Sequence, residues 1–570
     1  MATTEAPTAA NPKTVDSSTR SCSYDRHPVV LAFFSAMLLW FSFLPTDWSW
    51  LAWGALVPLF LLIKSQRSRR SIYFGAWTGG MLFWVLSIQW VRLTDSDAWL
   101  AWLVMALVLS VWWPGFLLVA RLAVLRLGVP LMVAAPLIWV GLEFVRAHIL
   151  TGFPWYYLAH SQHRALPLIQ IADTTGALGV SVLIALVNAW LVDLRTVPLL
   201  QLTPRGNRLA RPQLVRAAIV LGALTATAGY GTFRIATARF HDGPRLALLQ
   251  SNMEQSRKIL GDRDQILLTY RALVERALRD NKQLDLIVWP ETAYPFPFVV
   301  RNSPLSDADF ERQARSLDPR NGREFWIDWE RESAFQLHNW ADQIRVPMLV
   351  GSLIYDFHES GFSKFNSAIL FEPNIKAIQR YAKIHLVPFG EYVPLIDLFP
   401  WLTVLTPYRG ASVPRLAFGT KPAWFQLGRF RMATAICFED TIPQLVRRFF
   451  QGQGTRQPDV VLNISNDGWF QGSVEHDMHL AISVFRAIEN RVPLARAVNT
   501  GVSALVDGNG RVIASLPKLT EGVLSVTVPL DDRVALYSEW GDWLGIGCLT
   551  LTLALIPACL LQTARSRRSA

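Results

Sequence analysis

Charge is scarce in this chain. Of its 570 residues only 17% are charged while 51% are hydrophobic, a balance that points to membrane insertion rather than to a string of ordinary soluble domains. Cysteine is scarcer still. Cys22, Cys437, Cys548 and Cys559 are the four, too few and too scattered for a disulfide framework or a zinc pattern. No A-x-A-like site closes the first apolar run, which begins near Val29, so that run is expected to be a retained span rather than a cleaved signal. Internal repeats and low-complexity tracts are lacking as well. What is in excess is basic charge, 55 Lys and Arg against 44 Asp and Glu, a net of +11. The basic residues sit in short clusters between apolar runs and form no continuous face, which argues against nucleic acid as a partner.

Apolar stretches of spanning length, roughly 17–25 residues for a hydrocarbon core about 30 Å thick, recur in series. They fall near 28–45, 47–63, 72–92, 97–120, 128–149, 167–194 and 214–234, with an eighth near 542–562. Every second loop is basic: Lys64, Arg67, Arg69 and Arg70 after the second run, Arg121 and Arg126 after the fourth, Arg195, Arg205, Arg208, Arg211 and Arg216 after the sixth, and Arg565, Arg567 and Arg568 after the last. That alternation is what the positive-inside rule requires of a consistent topology. The expected organisation is a disordered cytoplasmic tail over 1–27, a seven-span α-helical bundle over 28–236, a domain of soluble composition over 243–531 on the opposite face of the membrane, and a final span over 542–562. Both termini are then cytoplasmic.

Within 243–531, short β-like runs alternate with amphipathic helices over 263–280, 329–344 and 475–490, the pattern of an α/β layered domain. Two long strands are expected at 425–437 and 504–515. The polar, Pro-containing segment 295–330 reads as an irregular insertion or loop.

Three strings in this domain carry groups capable of chemistry: VWPET with Glu291, YAKIHLVPFGEYVP with Lys383 and Glu391, and AICFED with Cys437, Phe438 and Glu439. Each follows a strand or sits in a Gly/Pro-containing turn, where a rigid scaffold positions reactive groups. A strand-end thiol can attack an acyl carbon if a base takes its proton. Glu291 is placed to be that base, and the Lys383 ammonium to lower the thiol pKa and stabilise an oxyanion. Taken one at a time, the commoner readings are a buried core cysteine, a capping or ion-paired glutamate and a solvated lysine. No histidine stands out as the base, and His476 and His479 lack companion ligands in the sequence, which argues against a metal site.

Taken together and in order, WPE, K-x-H-L-V-P-F-G-E and C-F-E-D resemble the Glu–Lys–Cys arrangement of the nitrilase superfamily. With several spans before the domain and one after it, the chain resembles the membrane-embedded branch of that superfamily, the apolipoprotein N-acyltransferase family. FPWYYLAHSQ, NISNDGWF, FRAIENRVPLARAVNTG and YSEWGDWLG are similar to segments of the same family. The resemblance implies an αββα sandwich joined to a polytopic bundle. It implies Cys437 as nucleophile, Glu291 as general base and Lys383 as oxyanion-stabilising lysine, with Glu391 and Glu439 orienting the lysine and the substrate amine and Trp155 at a membrane-facing approach. Phe438 departs from the family pattern, where many relatives have tyrosine. The implied reaction moves an acyl chain from a membrane phospholipid onto the N-terminal amine of a diacylglyceryl lipoprotein, through a Cys437 thioester, with no metal or other cofactor and in a monomeric chain of the bacterial inner membrane. A membrane-tethered amidase using the same residues is the nearest rival, and a transporter or scaffold with a vestigial domain is a second.

Overall fold

The computed structural model describes residues 27–568, except 96, 197, 204–205, 261, 282, 302–304, 318–322, 407–414 and 452–456. Of the expected tail over 1–27, residues 1–26 lie outside the described residues.

The first half is helical. Its main elements are α1 (Pro28–Phe41), α2 (Arg69–Ser87), α3 (Trp99–Arg126), α4 (Leu131–Arg146), α5 (Leu178–Thr196) and α6 (Arg211–Ala236). Four described helices are long and apolar enough to cross a membrane: α3, α5 over Leu178–Arg195, α6, and the C-terminal helix over Trp543–Gln562. Of the other expected spans, that at 72–92 is the continuous 19-residue α2, which is long enough but less apolar, and the rest are shorter or broken. The run at 28–45 forms the 14-residue α1, and that at 47–63 lies within an apolar helical stretch, Ser49–Lys64, built of short α and 3-10 turns with Pro58 among them. The run at 128–149 contains the 16-residue α4, with Pro136 inside it. Hydropathy registers the apolar run and is blind to where a proline or a returning loop interrupts the hydrogen-bond ladder, which is why spanning length in sequence and in structure differ.

The region after α6 is a two-sheet sandwich. One sheet holds β1 (Phe240–Gln250), β2 (Leu286–Val288), β3 (Phe298–Arg301), β4 (Met348–His358), β5 (Gly361–Glu372), β6 (Ile375–Ala382) and, at its far edge, β13 (Gly522–Asp531), in the order β13-β1-β2-β4-β5-β6 with β3 also on β4. The other runs β12-β11-β10-β9-β8-β7, from Val512–Leu516, Ser503–Val506, Leu494–Val498, Val460–Ser465, Phe430–Ile436 and Trp424–Leu427. Period-two alternation decides what each face meets. In β1, Leu246 and Leu248 join the core shared with Met432, Ile436 and Ile464 of the second sheet. Their neighbours Ala247 and Leu249 pack instead with Tyr270 and Leu273 of α7 (Arg263–Asp280).

Three local expectations are corrected. Residues 295–330 are not an irregular loop: β3, α8 (Asp307–Leu317) and the start of α9 (Arg323–Ile344) lie there, anchored by Phe310, Trp326 and Phe357 in a small core of their own. The expected strands at 425–437 and 504–515 are each a hairpin, because Gly428 and Gly510 turn the chain at φ +53° and +76°, values glycine tolerates without steric cost. β6 escapes the sequence pattern because it is an edge strand, half exposed and mixed in polarity.

The two halves share one continuous core. α10 (Val474–Asn490) is buried on nearly every face, since it packs on the second sheet and also against Ala172–Thr175 of the helical half. α11 (Trp543–Arg568) returns along α4.

Candidate active site

Glu291 lies in the turn that follows β2. Trp289 fixes that turn by stacking on Tyr270, 4.5 Å between centroids and 13° between planes. Gly351 of β4 passes so close that a methyl group on it would lie 2.1 Å from the Pro290 carbonyl oxygen. The carboxylate is therefore aimed by backbone packing.

Its oxygens are fully engaged. Oε1 receives the Lys383 ammonium at 3.1 Å and the Asn366 amide at 2.7 Å, and Oε2 receives the Asn466 backbone N–H at 2.9 Å. Lys383, at the end of β6 and buried, also meets Glu391 Oε2 at 2.9 Å. Asn366 bridges the two carboxylates, donating to Glu391 Oε1 at 2.8 Å. Burial works against the ammonium, but Glu291 and Glu391 outweigh it and hold Lys383 well above the usual lysine range. Two carboxylates around one ammonium leave the lysine a cation throughout.

Cys437 closes β8 and is half-buried. Its backbone is left-handed, φ +53°, a conformation that costs a non-glycine residue on the order of 1 kcal/mol and persists only where the surroundings impose it. Asn463 donates to its carbonyl at 3.0 Å. Burial and the Glu291 carboxylate push the thiol well above the usual cysteine range, with Lys383 pulling the other way. The group therefore rests as a thiol and becomes a nucleophile as its proton leaves.

Of the expected site residues, Glu291, Lys383, Glu391 and Cys437 gather in one place. Glu439 feels the Lys383 charge but makes its hydrogen bonds to the chain around the lysine and the cysteine. Its carboxylate takes the backbone N–H groups of Ile384 (2.7 Å), His385 (3.0 Å) and Ile436 (2.7 Å) and the Tyr381 hydroxyl (2.8 Å), so it clamps the Lys383 segment to the Cys437 strand. Burial raises its pKa to about 7 against the pull of those N–H groups. Phe438 stacks on His385, 5.8 Å between ring centroids. Trp155 is corrected. It is 1% exposed, packed against Trp90 and His479, and its neighbours Tyr156 and Tyr157 are buried with it. The loop is held inside by Arg146, which donates to the carbonyls of Phe153 and Trp155. This aromatic segment forms the seam between the two halves and does not line a lipid-facing approach.

Sequence reading passed over Asn366 and Tyr381, and gave Asn466 and Ser465, near the expected site, no role. Asn366 left a trace, a polar side chain interrupting the apolar run of β5. It also understated His479, which has companions after all: Asp467, Glu475 and His479 place ligand-type atoms within 4.8 Å of one another. Yet the Arg496 guanidinium stands 3.8 Å from Asp467 and 2.8 Å from Asp440. Burial and Arg496 oppose a charge on His479, but Asp440 and Asp467 prevail and lift it to about 10. The cluster thus balances its own charge with an imidazolium and a guanidinium.

Residues 35–190 match the family described as apolipoprotein N-acyltransferase N-terminal domain, and residues 245–537 match carbon-nitrogen hydrolase. The chain is similar to the apolipoprotein N-acyltransferase of Geobacter metallireducens, 32% identical with 92% of this chain and 94% of that one covered. It is also similar to that of Chlorobaculum tepidum, 29% identical over 93% and 96%. Among solved structures, a carbon-nitrogen hydrolase from Helicobacter pylori aligns with 50% of this chain and 88% of its own at 15% identity and a TM-score of 0.35.

Proposed function

Because this chain belongs to the apolipoprotein N-acyltransferase family and is an acyltransferase, we propose that it carries an acyl chain from a membrane phospholipid to the α-amine of a diacylglyceryl-modified N-terminal cysteine on a lipoprotein, through a thioester on Cys437. The observation that carries this reading is the convergence of Glu291, Lys383 and Cys437, in which the lysine ion-pairs with the glutamate at 3.1 Å and its charge acts on the thiol. Glu291 takes the thiol proton as sulfur attacks the ester carbonyl carbon. The Lys383 ammonium offsets the charge on the resulting oxyanion. Collapse breaks the C–O bond, and the proton passes from Glu291 to the lysophospholipid alkoxide. The lipoprotein amine then attacks the thioester, Glu291 accepts its proton, and cleavage of the C–S bond returns the proton to sulfur with the amide formed.

In this reading both substrates are lodged in a bilayer, so the sandwich is held against it by eight membrane segments in the bacterial inner membrane. The alternating basic loops support cytoplasmic termini and an extracytoplasmic site, and one chain suffices for the reaction. Two measurements test it. Wild type is expected to rescue a strain depleted of its own N-acyltransferase while Cys437→Ala does not, and intact mass is expected to show a long-chain acyl group on Cys437. Equal rescue by both chains refutes the mechanism. Hydrolysis of a small amide to its acid and amine, with no acyl transfer, favours a hydrolytic amidase instead.

A further inference from the structure

We propose that Ser465 is a further catalytic residue, whose hydroxyl, oriented by Asp467, partners the Cys437 sulfur and donates to it once the thiol proton has left. The inference rests on Cys437 being the nucleophile. β8 and β9 run parallel with Ile436 paired to Ile464; Cys437 leaves β8 in its left-handed turn while Ser465 closes β9, and Asn463 of β9 holds the Cys437 carbonyl at 3.0 Å, which keeps the two strand ends together. Ser465 is fully buried. Its hydroxyl donates to Asp467 Oδ1 at 2.6 Å, which leaves its lone pairs for the S–H. It is also the side-chain hydrogen-bond partner that favours the thiolate. A hydroxyl both accepts and donates, so one rotation about the Cβ–Oγ bond converts the partner of a thiol into the partner of a thiolate.

That rotation needs Asp467 to be satisfied in its absence, and the surroundings provide for it. His479 Nδ1 lies 3.5 Å from Asp467 Oδ1, and Arg496 Nη2 3.8 Å from Oδ2. Both cations are themselves anchored on Asp440, three residues after the nucleophile, at 2.7 and 2.8 Å. The charged groups acting on the sulfur are Glu291 and Asp467, which oppose a thiolate, and Lys383, which favours it. Those around Asp467 are His479, Arg496, His476 and Glu475. Asp467 therefore has two opposed effects on the sulfur, holding the hydroxyl that helps the thiolate while its own charge resists it. Asp467 is a positioning residue, since it acts through Ser465.

The test is the pH dependence of Cys437 alkylation by iodoacetamide in the detergent-solubilised full chain, read by peptide mass. Ser465→Ala is expected to move the midpoint up by about one pH unit, a roughly tenfold slower reaction at fixed pH, while Asp467→Asn moves it down. A role in folding alone would not produce opposite signs. Should Ser465→Ala fail to fold, Ser465→Thr and Ser465→Val are matched in size and differ in the hydroxyl, and only the valine chain is expected to show the upward shift. A midpoint in Ser465→Ala equal to that of the native chain, or equal midpoints in the threonine and valine chains, overturns the proposal while leaving Cys437 as nucleophile. A native Cys437 that does not alkylate at any pH overturns both.

Discussion

At the scale of single residues, the site works by setting buried charges against one another. Lys383 is kept a cation by two carboxylates, and Cys437 is kept a thiol by burial and by one of the same carboxylates. His479 shows the same balance at one remove, and it carries a stability prediction. Its pKa in the folded chain, about 10, lies above the ordinary 6.5. The stabilisation from its charge is therefore fully present below pH 6.5 and is lost as pH rises through 10, on the order of 5 kcal/mol in all. The thermal midpoint of the native chain is expected to fall between pH 7 and pH 10. His479→Gln is expected to start lower at pH 7 and to lose less over the same range. A midpoint that declines equally in both would show that the imidazolium contributes nothing.

At the scale of elements, what matters is how strands and turns hold those residues in register. Gly351 on β4 makes room for the Pro290–Glu291 turn, and its Cβ substitute would meet backbone, which cannot swing aside. Gly351→Ala is expected to push the Glu291 carboxylate away from Lys383 and reduce acyl transfer by about a hundredfold or more, because a shift near 1 Å in a reacting group has that effect. Secondary structure by circular dichroism should change little. Activity close to that of the native chain would mean that the turn is not held by this contact. The strands that lead into Glu291 and Cys437, β2 and β8, were legible in the sequence, as were β1, β4, β5, β9 and β10, since all are apolar runs bounded by turn residues. Less legible were β6, an edge strand without a buried face, and the two hairpins at Gly428 and Gly510, where a short turn lies inside what reads as one long run.

At the scale of the whole molecule, a buried ionic latch joins the helical half to the sandwich. Asp173, just before α5, receives Arg491 at 2.9 and 2.6 Å, pairs with Arg234 at 2.9 Å and accepts from Tyr230 at 2.8 Å. Removing one member of such a cluster strands the others: Asp173→Ala leaves the fully buried Arg491 guanidinium without its counterion, a loss of about 3–5 kcal/mol. Limited proteolysis of the solubilised chain is expected to cut between the halves in Asp173→Ala and spare the native chain. Equal resistance would mean that apolar packing alone holds the seam.

The sequence by itself determined the apolar runs, the alternation of basic loops, the α/β character of residues 243–531 and the three strings that bear reactive groups, because periodicity, composition and short motifs are local properties. The tertiary structure alone decided which glutamate meets the lysine. Glu391 and Glu439 both lie close in sequence to a reactive residue, yet the return of the loop after β6 turns Glu391 onto Lys383, while Glu439 is captured by three backbone N–H groups and a tyrosine. It also decided that Trp155 is enclosed at a seam, and that Ser465 closes a strand parallel to the one that leads into Cys437. Such adjacencies join residues far apart in the chain, and only packing and strand register can create them.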